Sequence, residues 1–197
     1  ASCHLSAAAF SDPGKALSLG VNQASGKRNA PAMFNLMWSK SFMWDGGINH
    51  LEIMPFAPIN QVAEMNQDIK LLMIKLNRHP GYRNLFREAY GSDSITTTPF
   101  FYALAQFMSS LISAGSRYDQ MRQGLVQFNA AETKGYSLFK QHCNECHTEP
   151  LFTSNQFENN GLDVNFSDSG RYRITTKPED LGRFKVPSLR NVMVTYP

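Results

Sequence analysis

Cys143-Asn144-Glu145-Cys146-His147 is the stretch of this chain whose residue types and spacing point most directly to a chemistry. Two cysteines separated by two residues, with a histidine directly after, suit covalent attachment of haem. Both sulfurs reach one porphyrin edge and add to its vinyl groups, and the histidine ligates the iron. The competing use is half of a zinc site. Zinc takes four ligands, and no second Cys/His pair follows at the spacing such sites use. Near the N-terminus, Ser2-Cys3-His4 reads as the tail of the same motif, its first cysteine falling one residue before Ala1. Alone, a Cys-His pair is weak. Beside the complete motif it suggests one haem per domain, and an internal piece of a longer protein.

The elements that must hold these motifs read as helices separated by long loops. Residues 5–31 are rich in Ser, Gly, Ala, Asn and Pro and read as an extended loop wrapping something. Residues 32–44 are apolar and compatible with a helix, broken by Asp45-Gly46-Gly47. Pro55 and Pro58 rule out one long helix between Leu51 and Ile59. From Asn66, a plausible cap, the apolar residues Ile69, Leu72, Met73 and Leu76 recur at helical spacing. Pro80 opens a short helix that runs to Tyr90 and stops at Gly91. Residues 97–114 form the longest helical stretch, with Thr96–Thr98 as N-cap and Pro99 early in the helix. Gly115 to Gly124 reads as a boundary. A helix over about 131–142 then leads into the Cys-x-x-Cys-His motif, and the roughly 50 residues after it carry little helical signal.

Composition narrows the function classes. Of 197 residues, 19 are basic and 16 acidic, a net charge of +3 with no basic cluster, which does not suggest nucleic acid. Mean hydropathy is −0.34, and no long apolar run predicts a membrane span. All three cysteines fall in the two haem-like motifs, which leaves no pair for a structural disulfide. No signal peptide is visible.

Beyond the two motifs, the chain resembles the bacterial di-haem cytochrome c peroxidase family, which includes the MauG-like enzymes. The matching residues run in order: Cys3-His4, Arg28-Asn29-Ala30-Pro31, Phe42-Met43-Trp44-Asp45-Gly46, Leu51-Glu52, Pro58-Ile59 and Glu64-Met65. They continue through Cys143 to His147, Gly170-Arg171, Pro187-Ser188-Leu189-Arg190-Asn191-Val192 and Thr195-Tyr196-Pro197. The resemblance implies an all-α fold of two cytochrome-c-like domains. A peroxidatic one covers 1–128 and an incomplete electron-transfer one covers 129–197, each with a covalently bound c-type haem. It makes His4 the proximal ligand of the peroxidatic iron and His147 that of the electron-transferring iron, with Cys3, Cys143 and Cys146 as attachment points. Glu64 becomes the distal acid, moving a proton between the two oxygens of peroxide. Read without the resemblance, Glu64 is a solvated surface carboxylate. Trp44 becomes the residue between the haems that helps carry electrons; otherwise it is core beside Phe42 and Met43. Asn29 through its side chain, and Thr195 and Pro197 through their carbonyls, match an inter-domain calcium site, whose hard cation takes oxygen ligands.

Three departures bear on activity. Val21 stands where the family's peroxidases often carry a histidine that blocks the peroxidatic iron, which implies an open site without reductive activation. Met54 replaces a glutamine that accompanies the distal acid. Gly47 replaces an arginine and removes a haem-propionate partner. His50, His79 and His142 match no family ligand; His79 and His142 read as surface or capping residues. Met33, Met37 and Met43 read as core. The second ligand of the electron-transfer haem, Met or Tyr, is expected beyond Pro197. The reaction implied is reduction of hydrogen peroxide to water in the periplasm, with electrons from a c-type cytochrome or cupredoxin. A homodimer is compatible with this reading. Two alternatives stand: a MauG-like oxidase acting on a protein or other large substrate through high-valent iron, favoured by Val21, and a non-enzymatic di-haem electron carrier.

Overall fold

A computed structural model describes residues 3–196. Its regular structure is mostly helical: α1 (Phe56–Asn60), α2 (Ile69–Arg78), α3 (Pro80–Tyr90), α4 (Thr97–Ser110), α5 (Arg117–Arg122), α6 (Ala130–His142) and α7 (Tyr172–Thr175). The only strands among the described residues are β1 (Phe157–Glu158) and β2 (Phe184–Lys185), an antiparallel pair. Long loops join these elements, as expected. No helix among the described residues is long and apolar enough to cross a membrane.

Local chemistry sets several of the helix ends. Pro80 starts α3, where its missing N–H costs nothing, and Gly91 ends it at φ 68. His79 caps α3, its imidazole accepting from Tyr82 N–H. Asn129 and Glu132 form a reciprocal capping box that starts α6. At α2 the cap is Asp68, whose carboxylate accepts from Leu71 N–H at 2.9 Å. The expected cap, Asn66, instead turns the chain in the left-handed region (φ 45).

Tertiary ties override propensity elsewhere. The expected helix over 32–44 shrinks to one 3₁₀ turn, Leu36–Trp38. Asn35 is buried and left-handed, its N–H bonded to Leu111 O (2.8 Å) and its side-chain amide paired with the backbone of Ser113 (2.9 and 3.1 Å). Those bonds use the carbonyl at the end of α4 and stop that helix at Ser110, four residues short of the expected end. Met37, expected in the core, is exposed. The glycine-bounded segment before residue 125 holds α5, built on a second capping box, Ser116 with Asp119.

Among the described residues the well-buried apolar ones are few for a chain of this length: Ala8, Phe42, Ile59, Ile95, Ala105, Met108 and Val186. Many large apolar side chains stay exposed, including Ile53, Phe56, Val62 and Met65 in the turns around Glu64. Such a surface suits a chain that closes around a large apolar group.

Candidate haem-binding site

Helix α6 delivers the Cys-x-x-Cys-His motif. Cys143 is its C-cap, and the next turn is closed by a bond from His147 N–H to Cys143 O at 2.9 Å. Cys143 and Cys146 are exposed and outside any disulfide, so both sulfurs are available for thioether bonds. The His147 imidazole places Nδ1 3.1 Å from Pro187 O and 3.3 Å from Phe152 O. Donation from Nδ1 leaves Nε2 with the lone pair that ligates a metal, the usual arrangement for a ligating histidine.

The loop that supplies those carbonyls is strapped down by the Pro187–Asn191 motif. Ser188 Oγ donates to Leu151 O (2.6 Å), Thr153 Oγ1 to Val186 O (2.6 Å) and Leu189 N–H to Phe152 O (3.2 Å). Arg190 Nε and Nη2 donate to Pro150 O (2.9 and 2.6 Å). The same guanidinium makes a bidentate pair with Asp119 on α5, at 2.8 and 2.7 Å, with side chains only 6% and 11% exposed. Sequence reading quoted Arg190 as part of a motif without a role and passed over Asp119. The Arg190 guanidinium, with Ser116 beside it, holds the Asp119 carboxyl far below the ordinary carboxylate range, although burial opposes this.

His4 is held by the same device. Its Nδ1 lies 2.7 Å from Phe10 O, in a loop closed by Leu5 N–H to Ser11 O (2.9 Å) and Phe10 N–H to Leu5 O (2.8 Å). Phe10 and Phe152 are both left-handed, at φ 58 and 55, which turns each carbonyl back toward its histidine. The half-buried Cys3 places its thiol 3.5 Å from Leu19 O. Both Cys-His sites therefore fit haem: one thiol at Cys3 and two at Cys143 and Cys146 for thioethers, imidazoles whose Nε2 atoms have no hydrogen-bond partner among the described residues, and exposed apolar residues close in sequence, Leu5 and Leu138.

Glu64 sits in the turn after α1, its N–H bonded to Gln61 O (3.0 Å) and its carbonyl accepting from Val21 N–H (2.7 Å). The residue is exposed, yet the surrounding chain removes part of its carboxylate's hydration. That desolvation pushes the carboxyl above its ordinary range, and His4 lies near enough to oppose the shift electrostatically. The structure thus brings together His4, Val21 and Glu64. Met54 is half-buried one turn before α1.

Trp44 is half-buried and fixed at both ends: Nε1–H donates to Asn29 O (2.8 Å), and its carbonyl accepts from Lys185 N–H (2.8 Å). Next to it, Asp45 is 1% exposed and receives Arg28 (2.6 Å) and Arg173 (2.8 Å), while Arg28 also forks onto Asp168 (2.6 and 2.8 Å). This charge cluster joins the two halves of the chain and was not anticipated. Burial, the largest single influence, would raise the Asp45 carboxyl, but the hydrogen bond and charge of Arg28, with the Gly47 N–H and Arg173, together outweigh it and the group lies below its ordinary range. Gly47 gives its N–H to Asp45 Oδ1 (3.0 Å), and Ile174 covers the space a side chain there would enter. Asn29 Nδ2 donates to Asp12 O and Lys15 O (both 2.7 Å). Gly14 N–H bonds Tyr196 O (3.0 Å), which brings the Asn29 loop beside Thr195. Pro197 lies outside the described residues.

A model of the di-haem cytochrome c peroxidase family matches residues 1–127. The methylamine utilization protein MauG of Methylophilus methylotrophus is 34% identical over 204 residues, which covers all of this chain and 60% of that protein. The cytochrome c551 peroxidase of Nitrosomonas europaea is 31% identical over 186 residues, covering 91% of this chain and 56% of that protein. The chain thus spans little more than half the length of these relatives. A MauG-like protein associated with microbial copper homeostasis superimposes with a TM-score of 0.88 at 29% identity, over 100% of this chain and 64% of the other. The diheme peroxidase BthA from Burkholderia thailandensis shares the fold, with a TM-score of 0.82 at 21% identity over 97% of this chain and 60% of the other. With two Cys-His sites built alike and a family match over most of its length, this chain belongs to the di-haem cytochrome c peroxidase family.

Proposed function

We propose that the protein containing this chain is a periplasmic di-haem peroxidase that reduces hydrogen peroxide to water with electrons from a small redox protein. The observation that carries this reading is that one loop joins the two groups: Cys3, next to His4, lies 3.5 Å from Leu19 O, and two residues on Val21 N–H bonds Glu64 O at 2.7 Å. Cys3 and His4 would hold one haem, and Cys143, Cys146 and His147 the other. When bound, haem supplies the redox chemistry. Glu64 takes the proton from one peroxide oxygen and returns it to the departing oxygen, a role its raised proton affinity suits. Trp44, held between Asn29 O and Lys185 N–H, suits a path for electrons between the two halves. Asn29, Thr195 and Pro197 would hold calcium through oxygen atoms.

The test is Glu64→Gln in the haem-loaded protein. Peroxide turnover should fall by about 10²- to 10⁴-fold, the usual contribution of a positioned acid–base group, with the absorption spectrum unchanged. Undiminished turnover would remove Glu64 from the reaction.

Val21 favours a second reading. An apolar residue beside Glu64 leaves the His4 side open, which also suits a MauG-like oxidase of a protein or other large substrate. Oxidation of a large substrate by peroxide without any reduced donor protein would select that reading.

A further inference from the structure

The turn that carries Glu64 is gripped by a small hairpin of residues 18–28. Ser18 N–H donates to Arg28 O (3.2 Å), Gly26 N–H to Ser18 O (2.8 Å) and Gly20 N–H to Ala24 O (2.8 Å), and Leu19 bridges Ser25 in antiparallel register. Asn22 and Gln23 turn the tip, both left-handed at φ 56 and 59. The tip lies directly on the Glu64 turn, where Val21 N–H meets Glu64 O at 2.7 Å. At Gly20 a Cβ would stand 2.1 Å from Ala63 O and 2.5 Å from both Glu64 Cα and Glu64 O. All three are backbone atoms, which no rotamer change can move aside. Gly20 has φ −92, open to any residue, so the demand at this position is for space rather than for backbone freedom.

We propose that Gly20 is the positioning residue for Glu64: its missing side chain lets the hairpin clamp the main chain of the acid and so fix the direction of its Cα–Cβ bond. The inference rests on Glu64 being the proton carrier. Ordinary contact begins at 3.4 Å, so an alanine at position 20, starting from 2.1 Å, must push the turn by more than 1 Å. A shift of about that size at a reacting group costs on the order of 100-fold in rate.

The test uses the haem-loaded, full-length protein with hydrogen peroxide and a reduced c-type cytochrome as donor. Four variants are compared: Gly20→Ala, Val21→Pro, Glu64→Gln and the Gly20→Ala/Glu64→Gln pair. Val21→Pro replaces the N–H that bonds Glu64 O with a ring carbon, which removes the bond and displaces that carbonyl without adding bulk at position 20. Gly20→Ala should lower kcat by about 10- to 100-fold, and Val21→Pro by about tenfold, with the KM for the donor unchanged. In the Glu64→Gln background Gly20→Ala should add no more than about a twofold loss, because both changes remove the same group's action. Hydrogen exchange gives a readout independent of turnover: Val21 N–H should lose protection in Gly20→Ala and keep it in Glu64→Gln, where the accepting carbonyl is intact. If Glu64→Gln turns over at the wild-type rate, the proton-carrier reading fails and this inference with it. If Glu64→Gln is slow while Gly20→Ala and Val21→Pro are unimpaired, or if the Gly20 and Glu64 losses multiply in full, the inference alone fails. Should Gly20→Ala not fold, Val21→Pro alone, with and without Glu64→Gln, decides.

Discussion

His4 Nδ1 lies 2.7 Å from the carbonyl oxygen of Phe10, a residue held in the left-handed region at φ 58. The pairing recurs at His147 and Phe152, so each Cys-His pair is followed by a loop that returns a main-chain carbonyl to the imidazole. The backbone conformation of the phenylalanine therefore sets the ring's orientation. Phe10→Val should strain that turn, since a β-branched residue is poorly accepted at positive φ, at a cost of about 1–3 kcal/mol. Phe10→Asn, which tolerates this conformation, loses the same ring contact with Phe107 but keeps the turn. Thermal unfolding should rank valine below asparagine, and the absorption spectrum of the loaded protein should show weakened His4 ligation in the valine variant only.

The Asp119–Arg190 pair is the main tie between α5 and the loop that orients His147. It is nearly sealed from solvent, so removing one partner strands a buried charge. Asp119→Asn should destabilise the protein by about 3–5 kcal/mol, measured by urea unfolding at neutral pH. Because the folded state holds this carboxyl below its unfolded value, the pair's contribution is complete above that value and disappears as pH falls through the folded one. The mutational cost should accordingly shrink in acid.

Legibility in the sequence followed the range of the interaction. Helix α3 could be bounded because Pro80 and Gly91 act on their own backbone. The segment 32–44 could not, because Asn35 is pinned by Ser113, 78 positions away. Helix α5 was hidden between glycines, and its strongest partner lies 71 residues on. The two Cys-His sites were visible because attachment chemistry demands adjacent residue types. The carbonyls that orient their histidines were not, since any residue has a carbonyl. The Arg28–Asp45–Asp168 cluster was half visible: Arg28 and Asp45 stood in quoted motifs, but nothing local marked Asp168.

Val21 tests whether the site near His4 is open by side chain alone. Its N–H bond to Glu64 O does not depend on the side chain, so Val21→His should keep the hairpin and add an imidazole beside the acid. The oxidised, loaded protein should lose high-spin ferric absorption. If the histidine-bound form takes nine-tenths of the population, the rate of reaction with peroxide should drop about tenfold. A spectrum identical to that of the parent would show that position 21 does not face the iron.

Lys185 offers a pH test of the junction behind Trp44. Its ammonium donates to Ser41 O at 3.0 Å, with no carboxylate partner among the described residues, and burial pushes its pKa down to about 8 from 10.5. Below pH 8 both folded and unfolded chains hold the proton, and the cost of burying the charge is constant. Between about 8 and 10.5 the unfolded chain holds a proton that the folded one has released, so stability rises with pH across that window. Lys185→Met removes the buried charge, a gain of up to about 3 kcal/mol at pH 7, but leaves the Ser41 carbonyl without its donor, a loss of about 1–3 kcal/mol. The variant's stability relative to the parent should therefore be highest at pH 7 and fall as pH rises from about 8 to 10.5, becoming lower than the parent's above pH 10, where the parent's amine is neutral and still bonded. Urea unfolding at pH 7, 8, 9 and 10 reads the change, and a stability difference that does not move with pH would mean that Lys185 is solvated.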